Sequence, residues 1–457
     1  MSINNSLSRA IFHLLSVNGI GYVFLLIISI IIFRSVDKSY YGLYVIMLSL
    51  FAVIELLMAG FNDTIMRFLK DKIPLNDKQN IVLFILLYKY LLILLFILFI
   101  YLAKHYGFFE FLIGNYNEVS DVIDSFILVV ILNGILSTFI GVNNCILNSQ
   151  NKYKLTANIG LVRHAVYFTV VLGLSFYTMN YLHYLFASIF LSAVLLLYLT
   201  IIIFHEFREF SIVNIIKSKS KSKFKFEIAR KYIFPYATPL TASSLLTYIK
   251  NYLPIIILGK EFSLENVAIF SILKTFFKAL HSLTSSFIEP MMAQFLELKN
   301  IPRDFVKKMR SIFWSMFLFR LITFTVLALF MKYIFMIYNL DNTKVNQFVF
   351  YILGIEFIIA GMILLYGIIL RLENTTYKVF QASIIRFGVE LSLIYLILFD
   401  YGLIAAAIIL LVSRYIETAV TFFFVRSQKI FNYSSVILLF FLVLVLYSLL
   451  QLQVIYY

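Results

Sequence analysis

Asn80–Ala103 reads NIVLFILLYKYLLILLFILFIYLA, and its 24 residues carry one charge, Lys89. Lipid offers backbone N–H and C=O groups no partner, so an apolar run of this length is expected to cross a bilayer as a helix. The same pattern recurs outward in both directions. Expected spans are 10–33, 41–61, 80–103, 123–147, 155–177, 181–204, 232–258, 264–290, 311–338, 345–370, 376–399, 402–425 and 433–455, with short loops between them. Of the 457 residues, 62% are hydrophobic and 13% are charged, against roughly half and a quarter in a soluble domain. The first run is too long for a signal-peptide core and lacks a small-residue cleavage site, so it reads as a retained helix. The expected fold is an all-α integral membrane protein with about 12–13 transmembrane helices.

Charge orients the chain. Loops on the side of the N-terminus, together with the span ends there, hold about 24 Lys and Arg; the opposite loops hold five, namely Arg34, Lys38, Lys104, Lys260 and Lys344. The basic side faces the cytoplasm, so the N-terminus is expected inside. The net charge of +15 is therefore a loop signature and not a nucleic-acid surface. One cysteine, Cys145, excludes an internal disulfide or a cysteine-built metal site. No Gly-rich nucleotide loop and no His/Cys cluster is present, so neither cofactor nor metal is expected. The external loops are short, leaving function to the helices and their mouths.

The longest internal loop, about 205–231, contains the run KSKSKSKFK at 217–225 and separates six spans from seven. It reads as a solvated basic linker near anionic headgroups. The two sides of it resemble each other. VDKSYYGLY at 36–44 opens the second span, and FSLENVAIF at 262–270 opens the eighth, about 226 residues later. NKYKL at 151–155 precedes the fifth span and TTYKV at 375–379 the eleventh, about 224 residues later. Arg163 and Arg386 then fall at nearly matching depths. Both halves keep one orientation, so the repeat is parallel, about an axis along the membrane normal. The expected organisation is a six-helix lobe over 1–204, the linker over 205–231, a second six-helix lobe over 232–425, and an additional helix over 426–457.

Tyr40-Tyr-Gly-Leu-Tyr44, the segment AGFNDTIMRF at 59–68, the loop NSQNKYK at 148–154, and 232–259 with Pro235, Pro239 and Pro254 carry a resemblance. They resemble bacterial polysaccharide flippases of the multidrug/oligosaccharidyl-lipid/polysaccharide exporter superfamily. The resemblance covers the first twelve spans. It implies two pseudo-symmetric, MATE-like lobes around a central cavity, in the bacterial inner membrane. It also implies export of undecaprenyl-pyrophosphate-linked oligosaccharide, an O-antigen or capsule repeat unit, beside a polysaccharide polymerase. Arg67, at the inner end of the second span, is a gate contact by that resemblance alone; by composition it is a positive-inside anchor.

Charge inside the spans is costly, a few kcal/mol at mid-bilayer on insertion scales, and needs a reason. Lys89, Arg163, Lys250, Lys274, Lys278, Arg320, Arg386 and Arg414 lie within spans, with Lys332 nearer an outer end; Glu55, Glu289, Glu356, Glu390 and Glu417 are the acids there. Cations exceed acids. Lys274, Lys278, His281, Ser285 and Glu289 recur at helical spacing and share one stripe. Two ammonium groups one turn apart repel, and neither has an acid within one turn. A water-filled cavity holding an anionic ligand resolves both costs; bonds to acids on other helices, Glu55 or Glu356, are the plainer alternative. Arg386 with Glu390 and Arg414 with Glu417 stand at spacings that allow local pairs. Arg320 has the reach to approach the cytoplasmic side by bending down its own helix, and ranks lower as cavity lining.

Arg163, Lys274, Lys278 and Arg386 are thus the candidate cationic lining for a pyrophosphate, with Glu55 and Glu356 as counter-ions or carriers of a coupled proton or sodium ion. The protein is not expected to be an enzyme. The rival readings are a drug exporter, which would favour cavity carboxylates, and a polysaccharide polymerase or ligase, which would need a large external loop.

Overall fold

A computed structural model describes residues 2–70, 74–113, 116–150, 152–177, 180–210, 227, 229–285, 302–372 and 376–425. The expected thirteenth span, the lysine run 217–225 and Glu289 lie outside the described residues, as do the side chains of Glu55, Arg67, Lys250 and Ser285.

Helices dominate, and no strand occurs among the described residues. In chain order they are α1 Ser2–Ser35, α2 Lys38–Lys70, α3 Leu75–His105, α4 Phe108–Leu112, α5 Tyr116–Ser149, α6 Tyr153–Ser175, α7 Tyr181–Glu206, α8 Phe234–Glu261, α9 Leu264–Ser285, α10 Pro302–Leu329, α11 Met331–Tyr338, α12 Lys344–Leu372, α13 Thr376–Leu393 and α14 Phe399–Val425. Each expected span from 10–33 to 402–425 coincides with or overlaps one of them. Seven described stretches are long and apolar enough to cross a membrane: Leu75–His105, Val122–Ser149, Tyr153–Ser175, Tyr181–Glu206, Met309–Leu329, Lys344–Gly367 and Tyr377–Val425. The last contains two helices, α13 and α14.

Local chemistry sets the ends. Asp37 accepts a hydrogen bond from the Ser39 N–H at 2.8 Å ahead of α2. Asn180 accepts from the Leu182 N–H at 2.9 Å and caps α7. Both satisfy donors that a helix start leaves over. The span expected over 311–338 is broken at Phe330 into α10 and α11, and Asn339 ends α11 with φ of 52°, a left-handed conformation that asparagine tolerates. A π-helical turn over Ile394–Leu398 follows α13. Gly402 then adopts φ 50° and ψ −119°, and the chain reverses there into the rest of α14. A side chain at that position would be strained.

The chain divides into two compact units, one of residues 35–264 and one of residues 1–34 with 265–457. In this division α1 is grouped with the later helices and α8 with the earlier ones.

In the 35–264 unit, α2 packs against α8, α5 and α3, and α5 against α7. The core between them is apolar: Phe61, Ile65 and Leu69 of α2 meet Ile81 and Ile85 of α3, Ile146 and Leu147 of α5, and Leu199 of α7. In lipid such a core is held by close packing more than by escape from water. In the other unit α12 is central, packing on α14, α10 and α13. Phe276 and Phe277 of α9 stack near Phe350 of α12, and Phe335 of α11 meets Phe350 edge-on.

Candidate functional site

The polar residues of the second unit gather on α9, α10, α12, α13 and α14. On α9 the two lysines stand four residues apart, about one turn. Lys278 is exposed, and among the described residues it makes no hydrogen bond or ion pair. Lys274 is half-buried, with Nζ 5.8 Å from the centre of the Phe270 ring. It interacts electrostatically with Lys278, Glu356, Glu390 and Arg386. Further along the same stripe comes His281.

Arg320 of α10 is 0% exposed. Its Nη1 donates to the Phe357 carbonyl at 2.6 Å and to His281 Nδ1 at 3.2 Å, and its Nη2 donates to Thr284 Oγ1 at 2.5 Å. The guanidinium also lies 4.8 Å from the centre of the Phe357 ring, a cation–π arrangement. Gly361 makes room for it: a Cβ there would stand 2.8 Å from Arg320 Nε. Sequence alone hid this seat because its parts come from two other stretches of chain, α9 and α12. The signal was Gly361, one turn beyond Phe357 and opposite an otherwise unexplained arginine.

Behind the lysines is an ion-pair network. Arg414 Nε donates to Glu356 Oε1 at 2.7 Å, and its Nη1 to Glu417 Oε2 at 3.1 Å. Arg386 Nη1 donates to the same Glu417 oxygen at 2.6 Å. Arg386 Nε lies 3.7 Å from Glu390 Oε2 and donates to Ser413 Oγ at 3.3 Å. The Ser383 hydroxyl donates to Glu417 Oε1 at 3.4 Å. Both local pairs read from spacing, Arg386–Glu390 and Arg414–Glu417, are present, but the shortest contacts run between helices. Arg386 is 1% exposed, so the structure places it in this network and not on an open surface. Glu356, expected as a counter-ion for the lysines, has Arg414 as its hydrogen-bonded partner.

Arg163 belongs to the 35–264 unit. It is half-buried on α6, and its Nη2 donates to Ser192 Oγ of α7 at 2.7 Å. Lys89 of α3, which the sequence offered no role, is 0% exposed there and donates to Asn62 Oδ1 at 2.5 Å and to the Thr138 carbonyl at 3.5 Å. The structure thus brings Lys274, Lys278, Arg386 and Glu356 into one unit.

An all-helical chain with seven described stretches long and apolar enough to cross a membrane is a multi-pass integral membrane protein, and its fold is MATE-like. The chain resembles an inward-facing multidrug resistance MATE family transporter of the MOP superfamily with a TM-score of 0.69 at 13% identity, over 92% of this chain and 99% of that one. It resembles the lipid II flippase MurJ, in an inward closed conformation, with a TM-score of 0.68 at 14% identity, over 95% of both chains. A MOP superfamily transporter from Pyrococcus furiosus, whose pocket is described as of reverse polarity, gives a TM-score of 0.62 at 14% identity, over 92% of this chain and 96% of that one. These solved structures are a flippase and transporters, not enzymes. No curated protein matches the chain by sequence. The polysaccharide biosynthesis protein family matches residues 7–296, and the chain belongs to that family.

Proposed function

We propose that this protein is a flippase that carries undecaprenyl-pyrophosphate-linked oligosaccharide, an O-antigen or capsule repeat unit, from the cytoplasmic to the periplasmic leaflet of a bacterial inner membrane. Membership of the polysaccharide biosynthesis family and the likeness in fold to a lipid II flippase support the substrate class. The positive-inside count supports a cytoplasmic N-terminus. A polymerase acting on the exported unit is the expected partner.

The observation that carries the reading is Lys278, exposed near the middle of the expected span 264–290 and one turn from Lys274. Lipid at that depth would cost several kcal/mol, so the lysine must meet water or an anion. Among the described residues at mid-span in this unit, Lys274, Lys278, Arg320, Arg386 and Arg414 stand against Glu356, Glu390 and Glu417. The formal excess of two positive charges equals the charge of a diphosphate diester. Lysine meets phosphate as a point charge, and an arginine such as Arg163 as a fork. In this reading Lys274 and Lys278 touch the diphosphate, Arg163 serves the same cargo from its own unit, and Arg386 holds the network behind them. Arg67 guards the cytoplasmic mouth, and alternating access moves the cargo.

The test is Lys278→Ala with membrane levels and melting temperature held to those of the parent. Transfer of lipid-linked oligosaccharide across vesicles should fall at least about tenfold, the loss of about 1.4 kcal/mol of binding. Unchanged transfer would remove Lys278 from the site.

A further inference from the structure

His281 is the next polar side chain after Lys278 on the face of α9 that carries both lysines, about 4.5 Å further along the helix axis. It is half-buried and interacts electrostatically with Lys278. Its ring is held from one side. Arg320 Nη1 lies 3.2 Å from His281 Nδ1, and a guanidinium has only N–H groups to offer. Nδ1 is therefore the acceptor and carries no proton. The imidazole is neutral, and its one ring proton sits on Nε2. The neighbouring bonds run in the same direction. Arg320 Nη1 also donates to the Phe357 carbonyl at 2.6 Å and Nη2 to the Thr284 hydroxyl at 2.5 Å, and that hydroxyl donates in turn to the His281 carbonyl at 2.8 Å. Arg320 is 0% exposed, so water does not take its place at Nδ1.

Nε2 points away from Arg320. It makes no hydrogen bond with a described residue, and it is not sealed in the packing. A neutral N–H of fixed direction thus stands open beside the two lysines. We propose that His281 is a third binding residue of the lysine site, and that its Nε2–H donates to a neutral oxygen of the sugar bonded to the diphosphate. This rests on the reading of Lys274 and Lys278 given above. With the diphosphate across the two lysines, the next place on the stripe falls to a group bonded to it, the prenyl tail or the first sugar. The tail has no acceptor, and an N–H pressed against it would lose its hydrogen bond. A sugar has hydroxyl oxygens, and an N-acetyl sugar has an amide carbonyl besides.

The neutral state of the ring matters. A third cation at this place would hold phosphate more strongly than sugar, whereas a neutral donor is matched by a neutral acceptor. The lysines then answer to charge and would hold any prenyl diphosphate, and His281 answers to what the diphosphate carries. A site built to hydrogen-bond a substrate oxygen disfavours the analogue that lacks it. Arg320 is a positioning residue here: it touches no cargo, and it decides which ring nitrogen bears the proton.

The experiment uses the full chain in lipid nanodiscs and probes of equal charge: farnesyl methyl diphosphate, and farnesyl-diphosphate-linked N-acetylglucosamine or glucose. The readout is the affinity for a sugar-bearing probe divided by that for the methyl probe. His281→Asn keeps an oxygen to accept from Arg320 and has nothing at the Nε2 position, so this ratio should fall about fivefold. His281→Gln, whose amide reaches the Nε2 position, should recover part of it. A fall with both sugars assigns the contact to a hydroxyl, and a fall with N-acetylglucosamine alone assigns it to the amide carbonyl. An unchanged ratio, whether affinity for both kinds of probe drops together or not at all, would overturn the proposal and leave the lysine site standing. Failure of every probe to bind the parent protein would overturn the lysine site and this contact with it. A second measurement needs no change at His281. In a chain that keeps His281 alone of its six histidines, nitrogen-15 resonances of the ring should show a bare Nδ1 and a protonated Nε2. A proton on Nδ1, or on both nitrogens, would overturn the proposal.

Discussion

Lys89 and Lys278 are two lysines within expected spans of two separate units, and they are housed in opposite ways. Lys89 on α3 is 0% exposed and donates to Asn62 on α2 and to the Thr138 carbonyl on α5. Lys278 on α9 is exposed, and no described residue hydrogen-bonds or pairs with it. A cation that joins three helices is an element of packing. A cation left open within a span, beside a second one of like sign, costs the fold free energy, and in the proposed reading it is the group that meets the cargo. Presence of a charge in a span therefore does not mark a site; the way its neighbours meet it does.

The contrast can be broken by experiment. The largest effect is expected from Arg386→Ala, which belongs with Lys89 in kind although it shares a unit with Lys278. It takes the Arg386 guanidinium from Glu390 and leaves Glu417 with Arg414 alone in a nearly dry setting, a loss of about 3–5 kcal/mol, read as a fall in melting temperature and in membrane-inserted protein. Lys89→Met should be next, about 1–3 kcal/mol, since the oxygens that accept from Lys89 lose their donor. Lys278→Ala should change stability least, within about 0.5 kcal/mol, while transport falls as stated above. If Lys278→Ala melts as early as Lys89→Met, the distinction between a packing cation and a ligand cation is wrong.

Most of the helices were legible because apolar runs of bilayer length have one outcome in lipid. The break at Phe330 was not, since 321–331 runs apolar through it apart from two threonines, and the turn is marked only by the left-handed Asn339 farther on. At the site, spacing along one helix showed the Lys274–Lys278 stripe and the Arg386–Glu390 and Arg414–Glu417 pairs. It could not show that Glu417 is shared by two arginines on different helices, or that Glu356 reaches Arg414 across 58 residues. The seat of Arg320 was hidden for the same reason: its acceptors on α9 and α12, and the space left by Gly361, are properties of the assembled unit.

The reversal at Gly402 has a consequence for how this chain tolerates change. Successive residues of a helix point about 100° apart, and the phase of α14 relative to α13 is set at this turn. One residue inserted just after Gly402 would rotate Arg414 and Glu417 by that angle, swinging both away from Arg386 and Glu356 without altering a single charged side chain. The tight backbone of a glycine thus acts as the timing mark of the ion-pair network, and length variation among homologous chains should avoid it while accumulating in the loops elsewhere.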